Sequence, residues 1–167
     1  MPAAAKASPF DLTAAVLHAF DTNEKVNQFM LDQLPSEAWR AKPPDGKGRT
    51  IAAIVAHMHN VRVMWLKAAA KGSKIPAQLE RDKVTVAGAK KGLAESHAGL
   101  RTLIETSLKS DGRIKGFKPD VASFLGYLFA HDAHHRGQVM MLARQTGSAL
   151  PQSVQFGMWE WGKLGRS

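Results

Sequence analysis

Val121, Phe124, Leu128, His131, His135, Gln138 and Leu142 follow one another at alternating intervals of three and four. Those intervals trace one face of an α-helix, whereas a half-buried strand repeats every second residue. The stretch from Phe124 to Val139 therefore reads as an amphipathic helix with two imidazoles set into its inward stripe. Imidazoles in place of hydrophobes need a chemical reason.

A second helix, Thr50 to Ala70, carries a similar stripe of Ile54, His57, Val61, Met64 and Ala68. Three rings, His57, His131 and His135, can then meet between two helices. Neutral imidazole is a common metal ligand, and an i, i+4 pair puts two rings on one helix face. A third ring completes a set that leaves a coordination position for water or substrate, as in catalytic rather than structural sites. A single histidine on an apolar face is more often a core residue with one satisfied hydrogen bond, so the argument rests on two stripes carrying them. His97, on the face of Leu93, Leu100, Ile104 and Leu108, has no second histidine on its helix and reads as packing or surface. His134 lies about 100° round the helix from His135, and His59 shares a face with Arg62; both are expected to be partly exposed.

The remaining chain supplies two further helices and their connections. Ser8 is expected to cap the first, with Pro9 at its first position and Asp11 near the positive end of its dipole. Its stripe runs Leu12, Val16, Phe20, Asn23, Asn27, Met30 and Leu34, stopping before Pro35. Either amide could reach a polar site in the bundle, although a helix end or surface groove is the more frequent place for one. Pro35 to Arg49, dense in breakers and charge, reads as a mobile loop with one helical turn at Ser36–Trp39. Thr85 to Leu108 forms the third helix; Pro119 and Asp120 start the fourth, and Gly147 ends it. The aromatic tail around Phe156, Trp159 and Trp161 is expected to fold back on the bundle or onto a partner subunit. No period repeats and no alternating run supports a sheet. The expected fold is all-α, a four-helix bundle with a three-histidine metal site between helices 2 and 4, in a single domain spanning 1–167.

Composition narrows the chemistry. No cysteine is present, which removes thiolate ligands, disulfides and a cysteine nucleophile, so any thiol chemistry must use an external thiol. The excess of 23 Lys+Arg over 14 Asp+Glu gives +9 and would suit an anionic substrate or nucleic acid. The basic residues are scattered from Arg40 to Lys118 without an interleaved aromatic run, which argues against a dedicated nucleic-acid surface. No segment has signal-peptide character or the apolar length of a membrane span, so a cytoplasmic protein is expected.

His131-Asp132-Ala133-His134-His135-Arg136-Gly137-Gln138-Val139, together with Ile54-Val55-Ala56-His57, resembles the fourth- and second-helix signatures of the DinB/YfiT-like superfamily. The order of helices fits along essentially the whole chain, while the motif match covers these two stretches. The resemblance implies a divalent metal, zinc or nickel, held by His57, His131 and His135. It also implies a homodimer, and relatives that include transferases and isomerases using low-molecular-weight thiols. The damage-inducible origin of the family name carries no implication of DNA binding.

The expected function is metal-dependent chemistry on a small molecule. The ion would lower the pKa of a thiol, as in an S-transferase, or of water, as in a hydrolase. No unambiguous general base stands beside the site. Tyr127 and Gln138, one turn to either side of the ligand pair, are candidates to orient a ring or a substrate oxygen. Asp132 is expected to point away from the stripe toward the surface, and Arg136 to bind an anion or pair with a carboxylate, the pairing being the favoured of the two. The rival readings are a non-catalytic metal- or ligand-binding bundle and a basic nucleic-acid-associated protein.

Overall fold

A computed structural model describes residues 9–70 and 72–166. Four long helices dominate: α1 (Leu12–Asp32), α2 (Ile51–Ala69), α3 (Val86–Leu108) and α4 (Val121–Gln145). Two short ones follow, α5 (Gln152–Gly157) and α6 (Trp161–Leu164), and a single 3-10 turn, Ser36–Ala38, interrupts the first connection. Among the described residues there is no strand, only an isolated bridge between Ile114 and Phe117. The all-α, four-helix reading holds.

Each long helix starts on a side-chain cap that satisfies an otherwise orphaned backbone N–H. Thr50 Oγ1 accepts from Ala53 N at 3.2 Å, Thr85 Oγ1 from Gly88 N at 3.0 Å, and Asp120 Oδ1 from Ser123 N at 2.8 Å. The first helix departs from expectation, because Asp11 is its cap and accepts from Ala14 N at 3.0 Å. Pro9 lies outside the helix, and Ser8 falls outside the described residues.

α3 and α4 each pack against both α1 and α2, and less against each other. The consecutive helices α1 and α2 thus face one another across the middle of the bundle, joined by a long connection. That connection is anchored at its start: Ala38 and Trp39 are buried, and Trp39 Nε1 donates to the Val84 carbonyl at 2.9 Å. Of the loop expected there, the stretch around Asp45–Arg49 is exposed.

The apolar core falls into two halves. One gathers Val26, Met30, Trp39, Ile51, Val55, Leu93 and Val139; the other gathers Phe20, Leu66, Leu100, Ile104, Phe124 and Leu128. Asn23, Glu24, Arg62 and Asp132 lie between these halves in sequence on their helices, Asn27 follows just after Val26, and all five are buried. The tail folds back through Leu150, Val154 and Met158, which join the first half, whereas the aromatics expected to be covered, Phe156 and Trp159, keep most of their surface exposed.

Candidate metal centre

The three histidines singled out by spacing come together. Their ligand nitrogens all lie within 4.8 Å of one another. His131 and His135 project from successive turns of α4, with Nε2 facing Nε2 at 3.2 Å. His57 approaches from α2, its ring centroid 5.4 Å from that of His131 and 4.9 Å from that of His135. Nitrogens bound to one zinc at 2.0–2.1 Å stand about 3.3 Å apart in a tetrahedral shell, so the spacing of the α4 pair already suits a shared ion. A set of three imidazoles fits a borderline divalent metal and leaves room for a further ligand.

The neighbouring groups prepare the rings for that role. Gln138 Oε1 lies 2.8 Å from His135 Nδ1, so Nδ1–H donates to it and Nε2 keeps its lone pair toward the centre. Tyr127 stacks on His131 with ring centroids 5.9 Å apart, and belongs to an aromatic wall with Trp65, Phe117 and Phe124. Burial pulls the His57 pKa down to about 4, helped by the positive charge of Arg49 and by the other two rings. Burial also lowers His131 and His135, His131 with help from the His135 ring. All three are therefore neutral at pH 7, the form that binds a metal. Beside Gln138 a cleft of about 300 Å³ opens between Ile54, Met141, Pro43 and Arg49.

Asp132, the residue after His131, overturns its surface assignment. It is buried, and its Oδ2 accepts from Arg62 Nη2 at 2.7 Å, Asn23 Nδ2 at 2.7 Å and Asn27 Nδ2 at 3.0 Å. Burial alone would raise its carboxyl pKa, but the Arg62 charge and these hydrogen bonds hold it below the usual range. Arg62, 2 % exposed, uses Nη1 for Glu24 Oε2 at 2.7 Å. Burial opposes its charge, yet Asp132 and Glu24 outweigh that and raise its pKa. Asn23 and Asn27 thus act as donors inside the bundle rather than as amides at a helix end. Among the described residues Arg136 forms no ion pair with a carboxylate; its Nη1 donates to Asn23 Oδ1 at 3.0 Å and Asn27 Oδ1 at 2.7 Å.

The other histidines separate by environment. His134 is exposed, as expected. His59 is fully buried rather than partly exposed, with Nδ1 2.7 Å from the Gly92 carbonyl and Nε2 2.9 Å from the Ala77 carbonyl, tying the α2–α3 connection to α3. His97 packs on Phe20 with centroids 4.4 Å apart and meets Asp21 Oδ1 at 2.8 Å, a structural role. The spacing argument missed Glu24, Arg62 and Arg49. An arginine enclosed by Val61, Val63 and Met64 was the available signal for the second of these.

A comparison with protein families matches residues 10–161 to the DinB family. The chain belongs to the DinB family. No curated protein matches it. Within this DinB protein the two stretches that carried the resemblance are those that bring the three imidazoles together. Among the described residues, no helix is long and apolar enough to cross a membrane.

Proposed function

We propose that this DinB protein is a metal-dependent enzyme whose ion is held by His57, His131 and His135, acting on a small molecule by S-transferase-like or hydrolase-like chemistry. The observation that carries the reading is the convergence of three neutral imidazoles from two helices within 4.8 Å. A divalent zinc or nickel ion there would supply Lewis acidity and lower the pKa of a water or external thiol.

The chain's own residues divide the remaining work. Gln138 fixes the tautomer of His135, and Tyr127 covers one face of His131. Arg49 lines the adjoining cleft and places positive charge near His57 and His135, which favours a substrate or thiol bearing an anionic group. Asp132 is saturated by Arg62 and two amides, so its work is to hold α4 rather than to take a proton. The proton of the activated water or thiol would then pass to solvent.

Elemental mass spectrometry on untagged protein purified without chelators tests the reading. About one zinc or nickel per chain is expected, lost in His131→Ala and His135→Ala and retained in His134→Ala, whose ring is exposed. Full metal content in His135→Ala would overturn the ligand set. Turnover of thiol and electrophile pairs by the loaded protein, absent in His57→Ala, is the expected activity.

A further inference from the structure

On the side of α4 turned toward α1, a groove of about 390 Å³ runs between these helices and the C-terminal segment. Phe129, Met140, Met158, Trp159 and Trp161 make it apolar, and Asn23 and Arg136 put polar groups on its lining. Its volume and its few polar groups among apolar walls are those of a small-molecule site. It is lined by none of the three histidines.

Arg136 gives the groove its chemical preference. Both hydrogen bonds of its guanidinium leave from Nη1 and go to neutral amide oxygens. Among the described residues, Nε and Nη2 have no hydrogen-bond partner and no carboxylate forms an ion pair with Arg136. The closest candidate, Asp132, is engaged by Arg62, Asn23 and Asn27. Two adjacent N–H-bearing nitrogens of a half-buried cation are left as a donor-only edge at an apolar groove. That edge matches the two oxygens of a carboxylate.

We infer that this groove binds an amphipathic monoanion, with its carboxylate on the free edge of Arg136 and its ring or chain between Phe129, Met158 and the two tryptophans. Trp159, 80 % exposed, gains cover for a large apolar surface when the groove is filled. The metal centre is not needed for this binding, so the inference stands apart from the proposed activity.

Calorimetric titration of the full chain with 2-naphthoate and with its neutral counterpart 2-naphthamide provides the test. Saturable one-to-one binding is expected, with the acid about tenfold to a hundredfold tighter than the amide. Arg136→Gln should remove that preference while leaving amide binding in place. Because Arg136 also supports Asn23 and Asn27, a second variant is needed that spares them. Ala133→Trp places bulk in the groove from an exposed position on α4 and should abolish binding of both probes with an unchanged melting temperature. His131→Ala should bind both as the parent does. Equal affinity for acid and amide, unsaturable binding, or full binding by Ala133→Trp would overturn the inference. So would loss of binding in His131→Ala, because the probe would then sit on the histidine cluster.

Discussion

Which nitrogen of His135 faces the centre is decided by Gln138, whose carbonyl oxygen takes the Nδ1 proton. Gln138→Leu removes that acceptor and leaves the ring free to choose its tautomer. Metal affinity, measured by competition with a chromophoric chelator, should fall about 10–100-fold. An unchanged affinity would mean that the ring is fixed by packing alone. The meeting of His57, His131 and His135 was legible in the sequence because imidazoles are conspicuous on an apolar stripe. Asp132 and Arg62 were not, since a charged residue in a single sequence reads as solvated, and their partners lie on other helices. Gln138 was legible as a neighbour, though not as the acceptor for a particular nitrogen.

At the scale of the helix, misreading the charged residues turned the expected face of α2 by about one residue. The stripe through Met64 and Ala68 lies outward, with Met64 47 % exposed, while Val55, Met58, Arg62 and Leu66 face the core. Lengths and ends were read more accurately. Thr50, Thr85 and Asp120 cap the helices they were expected to begin, because capping is local chemistry that the sequence carries in full. The buried charges supply a prediction here. Arg62→Met leaves Glu24 and Asp132 without their cation inside the bundle, and should cost about 3–5 kcal/mol in urea unfolding. Asp132→Asn retains the shape and some of the hydrogen bonds, and should cost less. If Arg62→Met unfolds at the parent's urea midpoint, the ion layer is not holding the helices together.

For the whole molecule, the lowered histidine pKa values fix the sign of the pH response. Between about 4, the folded value for His57, and its ordinary 6.5, the unfolded chain binds the proton that the folded chain refuses, so stability rises with pH. His131, His135 and His97 are also lowered and act in the same direction. Asp132, depressed by Arg62, contributes fully above the ordinary carboxylate range and loses its contribution as pH falls through it. The melting temperature of metal-free protein should therefore climb from pH 4 to about 6.5 and level off above. A profile that falls over this interval would contradict the neutral-ring assignment. Adding zinc at a hundredfold excess over its Kd should add about 2.7 kcal/mol at neutral pH, or roughly 5–10 °C for a chain of this size.

The donors gathered on Asp132 come from α1 and α2, and its neighbour in the chain is a ligand of the candidate centre. A ring nitrogen stands about 6 Å from the axis of its helix, so turning α4 by about ten degrees would carry His131 and His135 sideways by roughly 1 Å, a displacement that can cost on the order of a hundredfold in rate. Such a turn would also stretch all three bonds to Asp132 Oδ2. The ion layer thus acts as an angular stop, and the aim of the imidazoles is set by hydrogen-bond lengths on a neighbouring face of their own helix.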